Sequence, residues 1–279
     1  MPEYIFIIGA ARSGTKFLRD VIGAGSDISV VPYDINYVWR YGQEASDHDE
    51  LSPDMLSRKQ KKFIREAIVL QSDQREGSEF IVEKTVSNTL RIPLVNDLFP
   101  TSRFIHLIRD GRDVTESAYR QWRTPPDWRY LLSKVRGFPW RNVRYALWFL
   151  NNQFKNRKEG RAPVWGPRYR AIEDDVLTEP PIKLCARQWV RCIEAAHADL
   201  ASLPSYRTIQ VRYEDLTSNV TEMERIIDFI GLKDKESVLT EYRIACRPNL
   251  QGRWRTSLDE REREIMLEEV GKTLAKFCY

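Results

Sequence analysis

Residues 4–17 read YIFIIGAARSGTKF, and this stretch decides the fold. Residues 4–8 form a continuous apolar run, which is typical of a strand buried on both faces of a parallel sheet. Gly9 ends the run, and apolar residues then recur at helical spacing from Phe17 to Ile22. A strand, a loop and a helix start direct free backbone N–H groups and the positive helix end at one point. The stretch therefore predicts a cradle for a phosphate or a chemically similar anion.

The loop is close to a nucleotide-binding P-loop but departs from it at its end. That motif requires G-x-x-x-x-G-K-[ST], in which the last hydroxyl holds Mg²⁺. Gly9 and Gly14 have the required spacing, but Thr15 precedes Lys16, so this hydroxyl is misplaced. Arg12 instead puts a cation at the front of the loop. An ordinary strand-to-helix turn built from small residues is the alternative interpretation.

Three further short strands are predicted, each followed by a helical pattern. The strands are Phe80–Val82, Arg103–Ile108 and Thr208–Tyr213. The helical patterns lie at about 59–70, 89–99, 118–122, 142–155, 184–196, 221–230 and 259–277. Strands separated by helices imply right-handed βαβ units and a parallel sheet. We therefore expect one three-layer α/β/α domain over residues 1–279, with residues 26–60 as an irregular, lid-like segment.

Composition narrows the class of ligand. The net charge is +4 with a pI near 8.8, which suits an anionic ligand better than a nucleic-acid backbone.

No apolar run approaches the roughly 18 residues of a membrane span, and we expect neither a targeting segment nor a span. Three histidines, none at metal-ligand spacing, predict no metal site. Cys185 and Cys192 lie too far apart along one helix for a disulfide, which favours free thiols and a cytoplasmic location.

Further charged motifs follow the other predicted strands. Glu83-Lys84-Thr85 ends the second strand, and Arg109-Asp110-Gly111-Arg112-Asp113 ends the third, with Ser117 eight residues after Arg109. Arg212–Leu216 reads RYEDL at the end of the fourth strand, and Gly252–Arg255 reads GRWR. Together with the RSGT loop, this ordered set resembles the sulfotransferases that use 3′-phosphoadenosine 5′-phosphosulfate as donor. The resemblance extends from residue 4 to residue 255 and implies their P-loop-like α/β/α fold.

The resemblance also implies how the donor is bound. Ser13, Gly14, Thr15, Lys16 and Phe17 would offer N–H groups to the 5′-phosphate. Arg109 and Ser117 look like the 3′-phosphate site, although Arg112 could bind there or pair with Asp113 or Glu116. The late segment with Arg253 and Trp254, together with Tyr213, is similar to the parts of the family that cover the donor. The product would be 3′-phosphoadenosine 5′-phosphate, and no metal is needed.

The catalytic residues follow from the chemistry of sulfuryl transfer. Such transfer, like phosphoryl transfer, depends on positioning and on neutralising spread negative charge. Arg12 would contact the 5′-phosphate and the sulfuryl group, and Lys84 matches a family lysine that reaches the sulfuryl group. The acceptor hydroxyl needs a general base, for which Asp34 is the candidate and Glu83 the reserve. Asp34 could equally cap the helix that begins at Ile35.

The acceptor is predicted less directly. The RSGT loop is closer to the carbohydrate and tyrosylprotein branches of the family, and His106 is interpreted as a packed strand residue rather than a catalytic one. Aromatic and arginine side chains in irregular stretches suit a sugar or an anionic glycan. These are Tyr33, Tyr37, Trp39, Arg40, Tyr41, Trp122, Trp128, Trp140 and Trp165. We expect a carbohydrate or glycolipid acceptor. The alternatives are a P-loop kinase and a catalytically inactive nucleotide-binding protein, and the oligomeric state is not predicted.

Overall fold

The computed structural model describes residues 2–123, 164–247 and 251–279. Within them, five parallel strands form one sheet in the order β2-β3-β1-β4-β5. The strands are β1 (Glu3–Ile8), β2 (Ile28–Val30), β3 (Phe80–Glu83), β4 (Arg103–Ile108) and β5 (Thr208–Arg212). Parallel strands end at the same edge, so the residues that follow them are gathered there.

Helices connect and cover the strands. In the first part they are α1 (Thr15–Ile22), α2 (Asn36–Trp39), α3 (Arg58–Gln71), α4 (Ile92–Leu98) and α5 (Gly111–Arg123). After residue 163 they are α6 (Ile172–Thr178), α7 (Pro181–Leu200), α8 (Tyr213–Ser218), α9 (Val220–Ile230), α10 (Lys235–Ala245), α11 (Trp254–Ser257) and α12 (Glu260–Lys276). Short 3₁₀ helices lie at Pro53–Met55, Val86–Leu90 and Ser205–Arg207.

The alternation of residues along β1 divides the core into two layers. Ile5 and Ile7 are buried in one apolar cluster with residues of α1, α9 and α10. Phe6 and Ile8 are buried in a second cluster with residues of α2, α3, α4 and the end of α7. Because successive strand residues point to opposite faces, one strand serves both layers. The predicted three-layer α/β/α fold with a central parallel sheet is confirmed.

Several predicted elements need correction. Residues 26–60 are mostly irregular, as expected, but they also contain β2, α2 and the start of α3. The sequence did not predict β2, because three residues carry no periodicity. The helix expected at about 221–230 is α9, which begins at Val220 and is capped by the Asn219 side chain, an acceptor of the Thr221 N–H at 3.0 Å. The helical pattern at 89–99 is interrupted at Arg91, where φ is −151°. The helix predicted at about 142–155 lies outside the described residues.

Candidate functional site

Two glycines shape the loop between β1 and α1. A Cβ at Gly9 would lie 2.7 Å from the Leu107 carbonyl oxygen, so β1 and β4 are closely packed there. Gly14 caps α1 with a φ of 91°, and a Cβ there would meet the Tyr213 ring at 2.4 Å. A left-handed backbone and so close a contact both require glycine.

The start of α1 has the chemistry of an anion site. Gly14 offers no side chain to cap the first N–H groups of the helix. The Ser13 hydroxyl is fully buried and has no hydrogen-bond partner among the described residues. A buried hydroxyl without a partner costs free energy, which a bound acceptor oxygen would remove. Ser13, Gly14 and the helix start therefore fit a bound phosphate.

The next three loop residues contribute through their backbone rather than their side chains. Thr15 begins α1 and is buried. The Lys16 ammonium lies 2.5 Å from a carboxylate oxygen of Asp20 on the exposed side of α1. The Phe17 ring packs near Tyr242, with ring centroids 6.4 Å apart. The Lys16 and Phe17 side chains are therefore directed away from the cradle, to which these two residues can offer their N–H groups.

The predicted 5′- and 3′-phosphate residues lie side by side. Arg109, directly after β4, donates from Nη1 to the Arg12 carbonyl oxygen at 3.3 Å and lies over the Tyr213 ring at 4.4 Å. Arg12 donates from Nε to the Ser117 hydroxyl oxygen at 3.0 Å. The structure therefore brings together four residues that are separated by up to 201 positions in the chain.

Positive charge is concentrated at this point. Partial burial and the nearby guanidinium groups of Arg120 and Arg109 lower the pKa of Arg12. Like charges that crowd one another are relieved when an anion binds between them. This electrostatic strain is a second reason to place an anion here, independent of the loop geometry.

The positive charge of Arg112 is neutralised by a neighbouring carboxylate. Its guanidinium forms an ion pair with Asp110, with Nη2 2.6 Å from Oδ2. The pairing with Asp113 or Glu116 that was considered from the sequence is not the one found. The ion pair fixes Arg112 at the start of α5, so Arg109 remains the better candidate for the 3′-phosphate.

The late GRWR segment is held against the start of α5. The Gly252 N–H donates to both carboxylate oxygens of Asp113, at 2.9 and 3.0 Å. Burial raises the pKa of Asp113. The Trp254 ring lies under the Arg112 guanidinium at 5.2 Å, while Arg253 is exposed. The segment thus adjoins the helix that carries Ser117, as expected for a part that covers the donor.

Lys84 and Asp34 meet at the end of β3. The Lys84 ammonium lies 3.8 Å from Oδ2 of Asp34, and both side chains retain some exposure. Asp34 also accepts hydrogen bonds from the Asn36 N–H through Oδ1 and the Val86 N–H through Oδ2, each at 3.1 Å. Asp34 therefore accepts the N–H of the first residue of α2, although that helix begins at Asn36 with Ile35 as its N-cap residue, and the same carboxylate also faces Lys84.

Glu83, the reserve base, lies below this pair. It is fully buried, and its oxygens accept from the Thr85 hydroxyl, from Asn88 Nδ2 at 2.9 Å and from Trp39 Nε1 at 3.5 Å. Burial raises the pKa of Glu83 to about 7. A carboxyl group enclosed in this way cannot contact an acceptor directly, whereas Asp34 can.

Sequence reasoning missed Asp49 and Arg91, which join Arg40 and Glu83 in a set of buried ionisable residues near Asp34. We call Arg40, Asp49, Glu83 and Arg91 the buried charge cluster, because each is at most 1% exposed. Arg91 had a sequence signal, since it interrupts the apolar stretch from Leu90 to Val95. Asp49 had none, because it stands in a polar run that reads as surface.

Asp49 is the anchor of this cluster. It accepts from Arg40 Nη1 at 2.8 Å, from the Ser87 hydroxyl at 2.8 Å and from the Arg168 N–H at 2.9 Å. Burial alone would raise the pKa of Asp49, but Arg91 and Arg40 outweigh burial and lower it. The carboxylate is therefore held ionised inside the protein and connects three distant segments behind the site.

Comparison with known proteins agrees with this geometry. The family model described as "Sulfotransferase family" matches residues 2–148, just over half of the chain. The chain belongs to the sulfotransferase family. Protein-tyrosine sulfotransferase 2 of Gallus gallus is 22% identical over 256 residues, covering 88% of this chain and 55% of that protein. The chain spans about half the length, or less, of the curated relatives it matches.

Two solved sulfotransferase structures share the fold. The sulfotransferase domain of the Synechococcus PCC 7002 olefin synthase has a TM-score of 0.56 at 16% identity, over 100% of this chain and 95% of that one. The sulfotransferase domain from the curacin biosynthetic pathway has a TM-score of 0.53 at 16% identity, over 100% and 98%. At such identities the likeness concerns the fold, and the roles of single residues stay predictions.

Four of the seven described residues in the set that was expected to suit a sugar are buried in this sulfotransferase. Tyr37, Trp39 and Trp122 are buried, and Arg40 belongs to the buried charge cluster. Tyr33, Tyr41 and Trp165 are partly buried, while Trp128 and Trp140 lie outside the described residues. Large aromatic side chains are mainly core residues, and Tyr37, Trp39 and Trp122 follow this tendency.

The remaining predictions about residues are simpler. His106 is a packed residue of β4, as expected, and burial lowers its pKa to about 3. Among the described residues, the four cysteines are free, and no group of three or more His, Cys, Asp or Glu side chains is arranged to hold a metal ion. In the same part of the chain, no helix has both the length and the hydropathy needed to cross a bilayer.

Proposed function

We propose that residues 1–279 act as one domain that transfers a sulfuryl group from 3′-phosphoadenosine 5′-phosphosulfate to a hydroxyl acceptor. The observation that carries the proposal is the arrangement at the carboxyl ends of the strands. Arg12 and Arg109 face a phosphate cradle at β1 and β4, and Lys84 lies 3.8 Å from the Asp34 carboxylate at β3. Cations for the donor and a carboxylate for the acceptor thus share one edge of the sheet.

Donor binding is assigned to the cradle and its neighbours. The N–H groups of residues 13–17 and the orphaned Ser13 hydroxyl would bind the 5′-phosphate. Arg109 would bind the 3′-phosphate in a charge-assisted contact, with Ser117 donating its hydroxyl. Tyr213, Arg253 and Trp254 would cover the nucleoside. The Arg12–Ser117 hydrogen bond supports a donor pose in which Arg12 contacts either phosphate.

Transfer is assigned to three side chains. When bound, the donor supplies the sulfuryl group. Arg12 and Lys84 would neutralise the charge on the sulfuryl oxygens and on the phosphate left behind. Asp34 would take the proton of the acceptor hydroxyl while that oxygen forms its bond to sulfur. The bond between sulfur and the bridging oxygen of the 5′-phosphate breaks in the same displacement, and 3′-phosphoadenosine 5′-phosphate is left in the cradle.

The acceptor class is the finer part of the proposal. We propose a carbohydrate or glycolipid hydroxyl, because the RSGT loop resembles the carbohydrate and tyrosylprotein branches of the family rather than the small-phenol and steroid branch. A tyrosyl peptide is the second candidate, because the name of the chicken relative specifies a protein-tyrosine acceptor. A cytoplasmic location is also proposed, since Cys185 and Cys192 are buried free thiols rather than a disulfide.

Labelled donor tests this proposal. The wild-type protein and Asp34→Asn are incubated with ³⁵S-labelled donor and separate panels of oligosaccharides, glycolipids and tyrosyl peptides. We expect label on a hydroxyl of the carbohydrate panels with the wild type and almost none with Asp34→Asn. Label on tyrosyl peptides alone would move the acceptor to the second class. Tight binding of 3′-phosphoadenosine 5′-phosphate without transfer to any panel would contradict the enzyme and support an inactive nucleotide-binding protein.

A further inference from the structure

The buried charge cluster is connected to the candidate base through one residue, Asn36. The Asn36 backbone N–H donates to Asp34 Oδ1 at 3.1 Å. Its side-chain Nδ2 donates to Asp49 Oδ1, also at 3.1 Å, and its Oδ1 accepts from Arg91 Nη2. Both ends of the Asn36 amide are therefore fixed by buried charged groups. These side-chain contacts restrain the position of Asn36, whose backbone N–H holds Asp34.

Arg91 occupies a costly position for an arginine. It is 1% exposed, lies over the Trp39 ring at 5.7 Å and donates from Nε to Asn88 Oδ1 at 2.8 Å. Its Nη1 has no hydrogen-bond partner among the described residues. Burying a cation without full pairing is unfavourable, so an apolar residue would serve packing better. The cost calls for a role other than packing.

The charges around Arg91 indicate that role. Burial lowers its pKa to about 10, while the carboxylates of Asp49, Asp34 and Glu83 act in the opposite direction. Arg91 is thus attracted to Asp34 and at the same time bonded to the residue that holds Asp34. Among the described residues, Lys84 is the cation that pairs with Asp34 at the surface of the site.

We propose that Arg91 is a positioning residue, which acts through Asn36 to hold the Asp34 carboxylate in the orientation that accepts the proton of the acceptor. The proposal rests on the proposed function, in which Asp34 is the base. Asp49 completes the arrangement by holding the other end of the Asn36 amide. Since small misplacements of a catalytic group are costly, loss of Arg91 lowers turnover without changing donor binding.

The chain offers a matched control in Arg207. It is also a buried arginine, it lies over an aromatic ring (Phe104, 5.8 Å), and it bonds a carbonyl and an asparagine oxygen at 2.8 Å each. It lies before β5, at the opposite edge of the sheet from the site. Arg207→Met therefore reproduces the loss of a buried guanidinium without affecting Asp34.

The experiment compares kcat and donor KM for Arg91→Met, Arg91→Lys and Arg207→Met, with calorimetric binding of 3′-phosphoadenosine 5′-phosphate. We expect Arg91→Met to lower kcat by about 10- to 100-fold, with donor KM and nucleotide affinity within about twofold of wild type. Arg91→Lys keeps the charge and should recover part of kcat. Arg207→Met should keep wild-type kcat.

Asn36→Ser keeps the test decisive if Arg91→Met does not fold. It removes the amide bridge from a partly exposed residue and keeps the backbone N–H, so it should lower kcat to a similar degree with unchanged donor KM. Normal kcat in the folded Arg91 or Asn36 variants, or an equal loss in Arg207→Met, would overturn the positioning role. Asp34→Asn separates the two proposals. A near-normal kcat for Asp34→Asn would remove Asp34 as the base. A reduced kcat for Asp34→Asn together with a normal kcat for Arg91→Met would remove only the positioning role of Arg91.

Discussion

The donor side and the acceptor side of the site are built in different ways. The proposed donor side consists of the loop after β1 with Arg109, Ser117 and Tyr213, and it combines backbone N–H groups at the start of α1 with the exposed Arg12 and the buried Arg109. The acceptor side consists of Asp34 and Lys84 above the buried charge cluster, where each group is fixed by side-chain contacts. The donor side is thus suited to binding a fixed anion, and the acceptor side to holding a carboxylate at one orientation.

Lys84 and Asp34 give the largest expected effect and test the acceptor side. Lys84→Ala should lower kcat by about 100-fold or more, comparable to the loss of one preorganised oxyanion donor. Asp34→Asn should keep the fold and donor binding but lose turnover in the same range. Steady-state kinetics with both substrates, together with calorimetric nucleotide binding, measures both effects.

Lys61→Ala is the control for that comparison. Lys61 also pairs with an aspartate, with Nζ 2.8 Å from Asp97 Oδ2, but on α3 and α4 away from the strand ends. Its removal should leave kcat unchanged. A near-normal kcat for Asp34→Asn on the true acceptor would remove Asp34 from the mechanism.

Arg109 gives the next largest effect and tests the donor side. Arg109→Ala should weaken binding of 3′-phosphoadenosine 5′-phosphate by roughly 10- to 150-fold, which corresponds to a charge-assisted contact of about 1.5–3 kcal/mol. Arg103, at the other end of β4, lies over the Phe80 ring at 6.0 Å and is a matched control. Arg103→Ala should leave the affinity unchanged in the same titration.

The 3′-phosphate itself provides the complementary test. The wild type should bind adenosine 5′-phosphate more weakly than the 3′,5′-bisphosphate, and Arg109→Ala should lose most of this preference. Equal affinity of the wild type for both nucleotides would show that Arg109 and Ser117 do not form a 3′-phosphate site.

Glu83 gives a smaller effect, on stability. Burial raises its pKa from 4.5 to about 7, so the native state keeps a proton that the unfolded chain has already lost between these values. The stabilisation is complete below pH 4.5 and is lost as the pH rises through 7, on the order of 2 kcal/mol. Thermal unfolding should show that the wild type loses more stability between pH 5 and pH 8 than Glu83→Gln does. Equal losses in both proteins would mean that Glu83 is ionised throughout.

The two sides also differ in how far the sequence predicts them. Gly9, Gly14 and Arg109 each follow a strand within a short motif, and the parallel-sheet rule places such residues at one edge. The arrangement of the donor side was therefore predictable from local patterns. Glu83-Lys84 was found in the same way, because it too ends a strand.

The acceptor side depends on packing that local patterns do not contain. Arg40 and Arg91 reach Asp49 and Asn36 only because β2, α2 and the 3₁₀ turn after β3 fold together. β2 is too short to show a period, and Asp49 lies in a run of polar residues. The burial of Trp39, which had been considered for sugar binding, has the same origin: its ring is needed between Phe6 and Arg91.

The smallest expected effect is that of a divalent metal on the rate of transfer. Measuring this effect distinguishes a sulfotransferase from a P-loop kinase. A kinase loop directs its lysine at the phosphates and its next hydroxyl at Mg²⁺. Here Lys16 is paired with Asp20 on the outer side of α1, and Thr15 precedes it. The positive charge comes instead from Arg12, Lys84 and Arg109, which need no metal to neutralise a leaving phosphate. Transfer rates with EDTA and with millimolar Mg²⁺ should therefore agree within about twofold. Strict dependence on Mg²⁺, together with ATP hydrolysis, would instead favour a kinase and would require these three cations to have another role.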